Sequence, residues 1–524
     1  MFDVGQTSTS CEGGSTKAVV AIPQRHGDKI DRNSPTTSEL SFSSTLTEKV
    51  TGLEGEIAQL RADFKSLLPA PQEHRPKKAP ANDWTPTTRS SLIEIVRCSP
   101  LNVLLAFIPI GWALYFTNQS GLAIFVTTFI SIIPLAQLIG YGTEELALRV
   151  GPTLGGLLNA TLGNAVELIV AIIALAQCKL TIVQSSLMGS ILSNLLLVLG
   201  MCFFCGGTRF ADQAFKQVQS QMHSTLLVLS VIAVLLPGAF HFAVLWRNQA
   251  DNNTSDDVSN LVQSSAILKM SRGVAVILLV IYGCYLFFTL YSHEQFLQME
   301  DGEKSTPYPM GMKRIHWPRP LHWGRRPALP VTDSQRDPEQ AEVTSTASLP
   351  EEEEEEVRKL TLPVTVGLLV IVTVLVGVTS EFLVDSIDSV VATGALSEEW
   401  VGLILIPIIG NAAEHVSAVT VAIKDKVDLA INIAVGSSIQ IAVFLIPFIT
   451  VIAWIMGKNL TMLFDPFESI SLFLAVMVVS YTVQDGRSNW LEGMVLMCVY
   501  VILALCFFFY PGYDPTTFLG ITCT

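Results

Sequence analysis

Two glutamates in this chain stand in copies of one five-residue run. Gly163-Asn164-Ala165-Val166-Glu167 and Gly410-Asn411-Ala412-Ala413-Glu414 repeat glycine, asparagine, alanine and glutamate at a constant separation of 247 residues. The same separation relates Gly155 to Gly402, Ala171 to Ala418, and Gly189-Ser190 to Gly436-Ser437. Both runs lie in apolar stretches long enough to cross a bilayer. A carboxylate there costs about 2.5 kcal/mol or more on insertion scales, so two in matching places need a reason. The chemistry that supplies one is a pair of acids that meet and hold a cation.

The neighbours of each acid fit that task. Asn164 and Glu167 are three residues apart and share a helix face, as do Asn411 and Glu414. Gly163 and Gly410 weaken the helix just before them and let another backbone come close. A local break frees carbonyls, which is tolerated in a membrane where it lines a cavity. The product is a cage of two carboxylates, two amide oxygens and several carbonyls. Ca²⁺ takes 6–8 oxygens at about 2.3–2.6 Å in a flexible arrangement, which this cage suits. The motifs hold no soft ligand for Cu or Zn, while Mn²⁺ stays open.

Two follow-up runs stand at the same offset, Gly189-Ser190-Ile191-Leu192-Ser193-Asn194 and Gly436-Ser437-Ser438-Ile439-Gln440. Ser190, Ser193, Asn194 and Ser437 form a second polar ring, and Gln440 is long enough to join the ligands. The plainer alternative for the serines is close helix packing with hydroxyls bonded to backbone. His415 follows Glu414 and has no repeat partner, since Leu168 stands at its place in the other copy; it either tunes the acid and relays protons or is a satisfied core histidine. A weaker echo pairs Thr143-Glu144 with Ser380-Glu381, as vestibule acids or ordinary interfacial ones. Protons and a metal ion compete for the same carboxylate oxygens. If the protein changes sides only when one or the other neutralises the site, the result is antiport driven by a proton gradient.

The elements that position these residues are membrane helices. The chain has 524 residues, is 50% hydrophobic and only 15% charged, far below the roughly 25% charge of soluble domains. Eleven apolar segments reach bridging length: 100–117, 121–141, 153–176, 183–205, 222–245, 273–291, 362–386, 399–423, 429–456, 466–484 and 490–510. Arg89, Arg97, Arg149, Arg209, Lys216, Lys313 to Arg326, Lys424, Lys426 and Arg487 collect on one side, which the positive-inside rule places in the cytosol. A polar loop, 246–272, with sequons at Asn252 and Asn253, falls on the other side, against the rule's grain only at Lys269 and Arg272. The first segment stands outside the repeat. The remaining ten form two sets of five, and an odd number turns the second copy over. The expected fold is an all-α polytopic membrane protein, one extra helix plus two inverted five-helix repeats, with the site at the midplane.

The division follows as a polar, mostly disordered cytosolic tail at 1–96, the extra helix and first repeat at 97–291, a cytosolic linker at 292–361, the second repeat at 362–511 and a luminal tail at 512–524. The start of the chain has no early hydrophobic core and does not read as a signal peptide; a short helix is spaced around Leu46 to Leu68. The net charge of −14 rests heavily on Glu351, Glu352, Glu353, Glu354, Glu355 and Glu356, a run that either gathers Ca²⁺ at the entrance or is a solvated charge run. No basic stripe suits nucleic acid. The nine cysteines show no metal or disulfide spacing and read as buried thiols. No nucleophile motif, metal-histidine motif or nucleotide loop accompanies the acids, so the chain does not read as an enzyme, and no cofactor is implied.

In its paired Gly-Asn-Ala-x-Glu motifs, Glu414-His415 step, Gly-Ser follow-ups and central glutamate run, the chain resembles the cation/proton exchangers (CAX) over residues 97–510. The resemblance implies eleven helices with two inverted repeats, a vacuolar Ca²⁺/H⁺ antiporter, and Glu167 and Glu414 as the carboxylates that bind Ca²⁺ and carry protons, with Asn164, Asn411 and Gln440 beside them. Sodium/calcium exchangers share the broader architecture but have hydroxyl-rich motifs and an extra acid where this chain has Asn and Gln440. The alternatives are therefore a Mn²⁺/H⁺ or Na⁺/Ca²⁺ exchanger of the same superfamily. The linker is longer than the family's short acidic stretch.

Overall fold

The computed structural model describes residues 86–250, 256–293, 305–307, 358–392, 394, 396–512 and 523. The glutamate run at Glu351–Glu356, the helix expected around Leu46 to Leu68 and the sequons at Asn252 and Asn253 lie outside the described residues.

Helices dominate. The first is α1 (Thr88–Arg97), opened by a capping box between Thr87 and Ser90. A tight turn at Pro100–Ala106 leads into α2 (Phe107–Phe116), bent 89° from α1. There follow α3 (Gly121–Val150), α4 (Pro152–Leu162), α5 (Ala165–Ala176), α6 (Leu180–Gly207), α7 (Gln217–Ala250) and α8 (Asp256–Phe287, continuing to Ser292). The second half holds α9 (Leu362–Val391), α10 (Glu398–Gly410), α11 (Ala412–Ile423), α12 (Val427–Ile455), α13 (Pro466–Thr482) and α14 (Trp490–Phe508). Among the described residues seven helices are long and apolar enough to cross a bilayer alone, and two bent pairs raise that to nine.

Each apolar segment expected from the sequence falls on helix, but the ends differ. The loop expected at 246–272 is mostly helix, since α7 runs to Ala250 and α8 begins at Asp256. A helix satisfies its own backbone, so it continues past the apolar stretch into water without penalty. Gln263 of α8 donates to the carbonyl of His241 on α7 at 3.1 Å and holds that extension in place. The segment expected at 121–141 likewise continues to Val150, and 362–386 continues to Val391. These two helices, α3 and α9, pack along their lengths.

The fold is not purely helical. Among the described residues three short strands, β1 (Phe210–Ala214), β2 (Thr306–Pro307) and β3 (Arg487–Ser488), form an antiparallel sheet in the order β2-β1-β3. Asp212 of β1 and Arg487 of β3 make an ion pair at 2.6 Å. The sheet ties connections from both halves to the linker, on the end of the bundle that carries Lys216, Lys424 and Lys426.

The reading of the cysteines needs correction. Cys178 and Cys523 form a disulfide across 345 residues, a pairing with no local spacing to announce it. Cys202 is buried as expected, whereas Cys284, Cys498 and Cys506 lie on the exposed outer surface of their helices, where lipid is the natural neighbour. The disulfide lies at the end of the bundle opposite the sheet. There Lys179 pairs with Asp388, and Lys458 donates to the sulfur of Cys178.

Candidate cation site

Both motifs break their helices at the asparagine. Asn164 (φ −96°, ψ 27°) separates α4 from α5, and Asn411 (φ −85°, ψ 5°) separates α10 from α11, where the axis bends 54°. Each glutamate then lies in the first turn of the helix that follows. Unpaired N–H groups and the helix dipole favour an anion at that position. The hydrogen bonds repeat too: Leu168 N–H donates to the Asn164 carbonyl at 3.1 Å, and His415 N–H donates to the Asn411 carbonyl at 2.9 Å. At the far ends of α5 and α11 the offset holds again. Cys178 (φ 60°) and Asp425 (φ 65°) are both left-handed, and each is followed by a lysine whose N–H reaches back into the helix.

The two motifs meet through polar contacts. Asn164 Nδ2 donates to Gln440 Oε1 at 2.8 Å, and Ser437 Oγ donates to Asn164 Oδ1 at 2.9 Å. Asn194 Nδ2 in turn donates to Ser437 Oγ at 3.0 Å. Asn411 Nδ2 reaches the Ser190 carbonyl at 3.4 Å. Ser437 and Asn194 also flank the Glu414 carboxyl, which lies within electrostatic reach of Glu167. Thus Glu167, Asn164, Ser190 and Asn194 from one half and Glu414, Asn411, Ser437 and Gln440 from the other form one cluster.

Two glycines set how closely the halves approach. A Cβ built on Gly410 would stand 2.7 Å from Glu167 Oε1, so the first motif's acid lies directly against the second motif's break. A Cβ on Gly189 would collide with the Leu403 carbonyl of α10, so only glycine lets α6 lie there. Next to these contacts several helices loosen into wider turns, at Ser193–Val198, Val401–Leu405, Asn432–Gly436 and Ile441–Leu445. Such widened turns shift helix register and concentrate at functional sites.

The site contains oxygens that wait for a partner. Glu414 Oε2, Asn411 Oδ1 and Asn194 Oδ1 are buried and make no hydrogen bond among the described residues. Amide oxygens and an ionised carboxylate only accept. Buried polar groups are nearly always satisfied, so three unsatisfied acceptors around one cluster suit a bound cation. Among the described residues no group of three or more His, Cys, Asp and Glu side chains converges to hold a metal. Two acids with neutral oxygens are the whole charge of this cage.

The two acids border different spaces. A cavity of about 310 Å³ is lined by Glu414, Ser437, Gln440 and Gly163 at its inner end and by Glu144, Asn159, Ser417 and Asn432 beyond them. Glu167 instead faces a void of about 20 Å³, mostly apolar, that it shares with Ser186 and Ser190. Glu144 lines the cavity, while its echo Glu381 is exposed on α9. The hydroxyls of Thr143 and Ser380 beside them are buried and make no hydrogen bond among the described residues. His415 Nε2 is buried and has no hydrogen-bond partner among the described residues. Ser193 is fully buried next to Tyr500 of α14, away from the carboxylates' hydrogen bonds.

Two features gave little signal in the sequence. Asn432 and Ser417 line the cavity but lie outside the repeated motifs. Glu468, at the start of α13, is 1% exposed and accepts from Ser185 Oγ at 2.6 Å.

A helical membrane bundle with acids at matching helix breaks is the architecture of secondary ion transporters. The chain belongs to the sodium/calcium exchanger protein family, whose sequence profile matches residues 120–291 and 364–509. It is 49% identical over 473 residues to the vacuolar calcium ion transporter of Cryptococcus neoformans var. grubii serotype A, covering 83% of this chain and 78% of that one. It is 36% identical to the vacuolar cation/proton exchanger 3 of Oryza sativa subsp. japonica, covering 80% and 88% respectively. Among solved structures it is similar to the Ca²⁺/H⁺ antiporter protein YfkE, with 28% identity and a TM-score of 0.56 over 78% of this chain and 99% of that chain.

Proposed function

We propose that this protein is a secondary-active antiporter that exchanges cytosolic Ca²⁺ for luminal H⁺ across the membrane of a vacuole or another acidic organelle. The observation that carries this reading is the contact between the two motifs: Glu167 against Gly410, and Asn164 bonded to Gln440 and Ser437, around unsatisfied acceptor oxygens. Glu167 and Glu414 hold either Ca²⁺ or protons, Asn164, Asn411 and Gln440 complete the oxygen cage, and His415 assists the exchange of protons at Glu414. Ser190, Asn194 and Ser437, with Gly163 and Gly410, shape the cage around them. Ca²⁺ enters past Glu144 and displaces protons, the neutralised site changes sides, and luminal protons then expel the ion. Relatives named as vacuolar calcium transporters and cation/proton exchangers support the cargo and the compartment.

The matching dihedrals at Asn164 and Asn411, and at Cys178 and Asp425, support the reading of two inverted five-helix repeats after one extra helix, eleven in all. Arg149, Lys216, Lys424, Lys426 and Arg487 at the cavity's end support a cytosolic mouth. The Cys178–Cys523 disulfide at the other end suits an oxidising lumen and a luminal C-terminus. Lys179 and Lys458 lie on that luminal end and reduce the charge bias without reversing it. The linker's acids, Glu351 to Glu356, act on the cytosolic side as a regulator. The test is uptake of radioactive Ca²⁺ into proteoliposomes with an acid interior and no sodium. Uptake that collapses with the pH gradient is expected. Uptake only when sodium is supplied would assign the sodium-coupled reading instead, and preference for Mn²⁺ would reassign the cargo.

A further inference from the structure

Glu468 is a buried acid that the exchange site does not use. It lies in the first turn of α13, is 1% exposed, and its Oε1 accepts from Ser185 Oγ of α6 at 2.6 Å. Among the described residues no cation pairs with it. The charged and titratable groups around it are acids and a phenol: Asp465, which caps α13, Glu399 of α10, and Tyr510, whose hydroxyl donates to Asp465 at 2.9 Å. An ionised carboxylate buried among acids without a counter-ion is costly, so a neutral packing residue would serve a structural role better.

The other half of the molecule contains that neutral version. The repeat offset carries Ser185 to Asn432. Asn432 Oδ1 accepts from Gln219 Nε2 at 2.8 Å, and Gln219 is the third residue of α7 as Glu468 is of α13, so an amide occupies the place of the acid. One helix–helix contact is thus built twice, with glutamine on the side of the wide cavity, which Asn432 lines, and glutamate on the side of the narrow void. Packing does not demand the carboxyl. On the latter side, α6 presents Ser185 to Glu468, while the neighbouring Ser186, with Ser190, borders the void that Glu167 lines. At about 20 Å³ the void has room for one water.

We infer that Glu468 is a proton-relay residue that takes protons from the luminal side and delivers them towards Glu167 past the adjacent Ser185 and Ser186 of α6. The inference rests on the antiporter reading above. Glu468 accepts one proton from luminal water, and the same charge of one proton passes by hydroxyl exchange through Ser185, Ser186 and the void to a Glu167 oxygen. Glu468 returns to its starting form for the next cycle. The hydroxyls accept and donate in turn and are unchanged overall.

The test compares two transport modes of Glu468→Gln in proteoliposomes. Ca²⁺/H⁺ exchange needs the relay, whereas exchange of radioactive for unlabelled Ca²⁺ at equal pH does not. The expected result is a fall of about tenfold or more in proton-driven uptake, with an unchanged apparent KM for Ca²⁺, a flattened response to luminal pH and retained Ca²⁺/Ca²⁺ exchange. Glu468→Asp should restore part of the pH response. Equal loss of both modes in Glu468→Gln, or a wild-type rate and pH profile, would overturn the relay. If Glu167→Gln is inactive while Glu468→Gln is normal, the antiporter reading stands and only the relay fails. If the wild type shows no proton-driven uptake, the parent reading fails first.

Discussion

Asn164 donates to Gln440 across 2.8 Å and accepts from Ser437 at 2.9 Å, so one amide of the first motif is held at both ends by the second half of the chain. These contacts span more than 270 positions. They fix the position of the first helix break relative to the second and therefore the spacing of the two carboxylates. Asn164→Ala strands Gln440 and Ser437 together, and each buried group left unpaired costs about 1–3 kcal/mol. Uptake by this variant should fall roughly 10-fold or more with a raised apparent KM for Ca²⁺. Kinetics like the wild type would mean the amide only packs.

Gly410→Ala tests how tightly the halves meet. The added methyl would sit 2.7 Å from Glu167 Oε1, and the acid has to move. Alanine also strengthens helix by about 1 kcal/mol over glycine, so folding should hold. The expected outcome is a monodisperse protein with little transport. Full transport would show that Glu167 does not need its present position.

Removing charge from either acid should stop exchange. Glu167→Gln and Glu414→Gln keep the side-chain shape and lose the negative charge that binds Ca²⁺ and the group that carries the proton. Each should abolish proton-driven uptake with expression and elution profile preserved. Uptake by either one at the wild-type rate would remove that residue from the site.

The disulfide predicts a chemical difference between thiols. Under denaturing, non-reducing conditions all but two of the nine cysteines should alkylate, and Cys178 and Cys523 should appear only after reduction. Cys523→Ser should lower thermal stability, as loss of a native disulfide does by roughly 2–5 kcal/mol in small domains, with transport retained. Alkylation of Cys178 without reductant would contradict the pairing.

The acidic run belongs to regulation in this account. Changing Glu351–Glu356 to alanine should alter apparent affinity or its response to cytosolic Ca²⁺ while leaving turnover largely intact. Complete inactivity at normal expression would move the segment into the transport machinery.

The helices and the acid pair were legible because lipid imposes strong rules. A spanning segment must be apolar and long, and an acid inside one stands out against that background. The 247-residue offset then identified Asn164, Glu167, Asn411 and Glu414, and the structure brings them together with Ser437 and Gln440. Helix ends were less legible, because α7 and α8 continue as polar helix beyond the apolar stretch. The three strands are two to five residues long and pair across distant connections, too short for any alternation to show. The disulfide joins residues 345 apart. Glu468 stands near the edge of its apolar segment, where an acid looks interfacial, and it has no acidic counterpart; only its contact with Ser185 sets it apart.

The most direct test is proton release on Ca²⁺ binding by the purified protein in weakly buffered detergent, followed with a pH indicator. If one pair of carboxylates is filled in turn by metal and hydrogen ions, adding Ca²⁺ must liberate protons from the wild type. The release should fall away in Glu167→Gln and Glu414→Gln. Tight Ca²⁺ binding with no protons released, or the same release from both variants, would contradict a shared site.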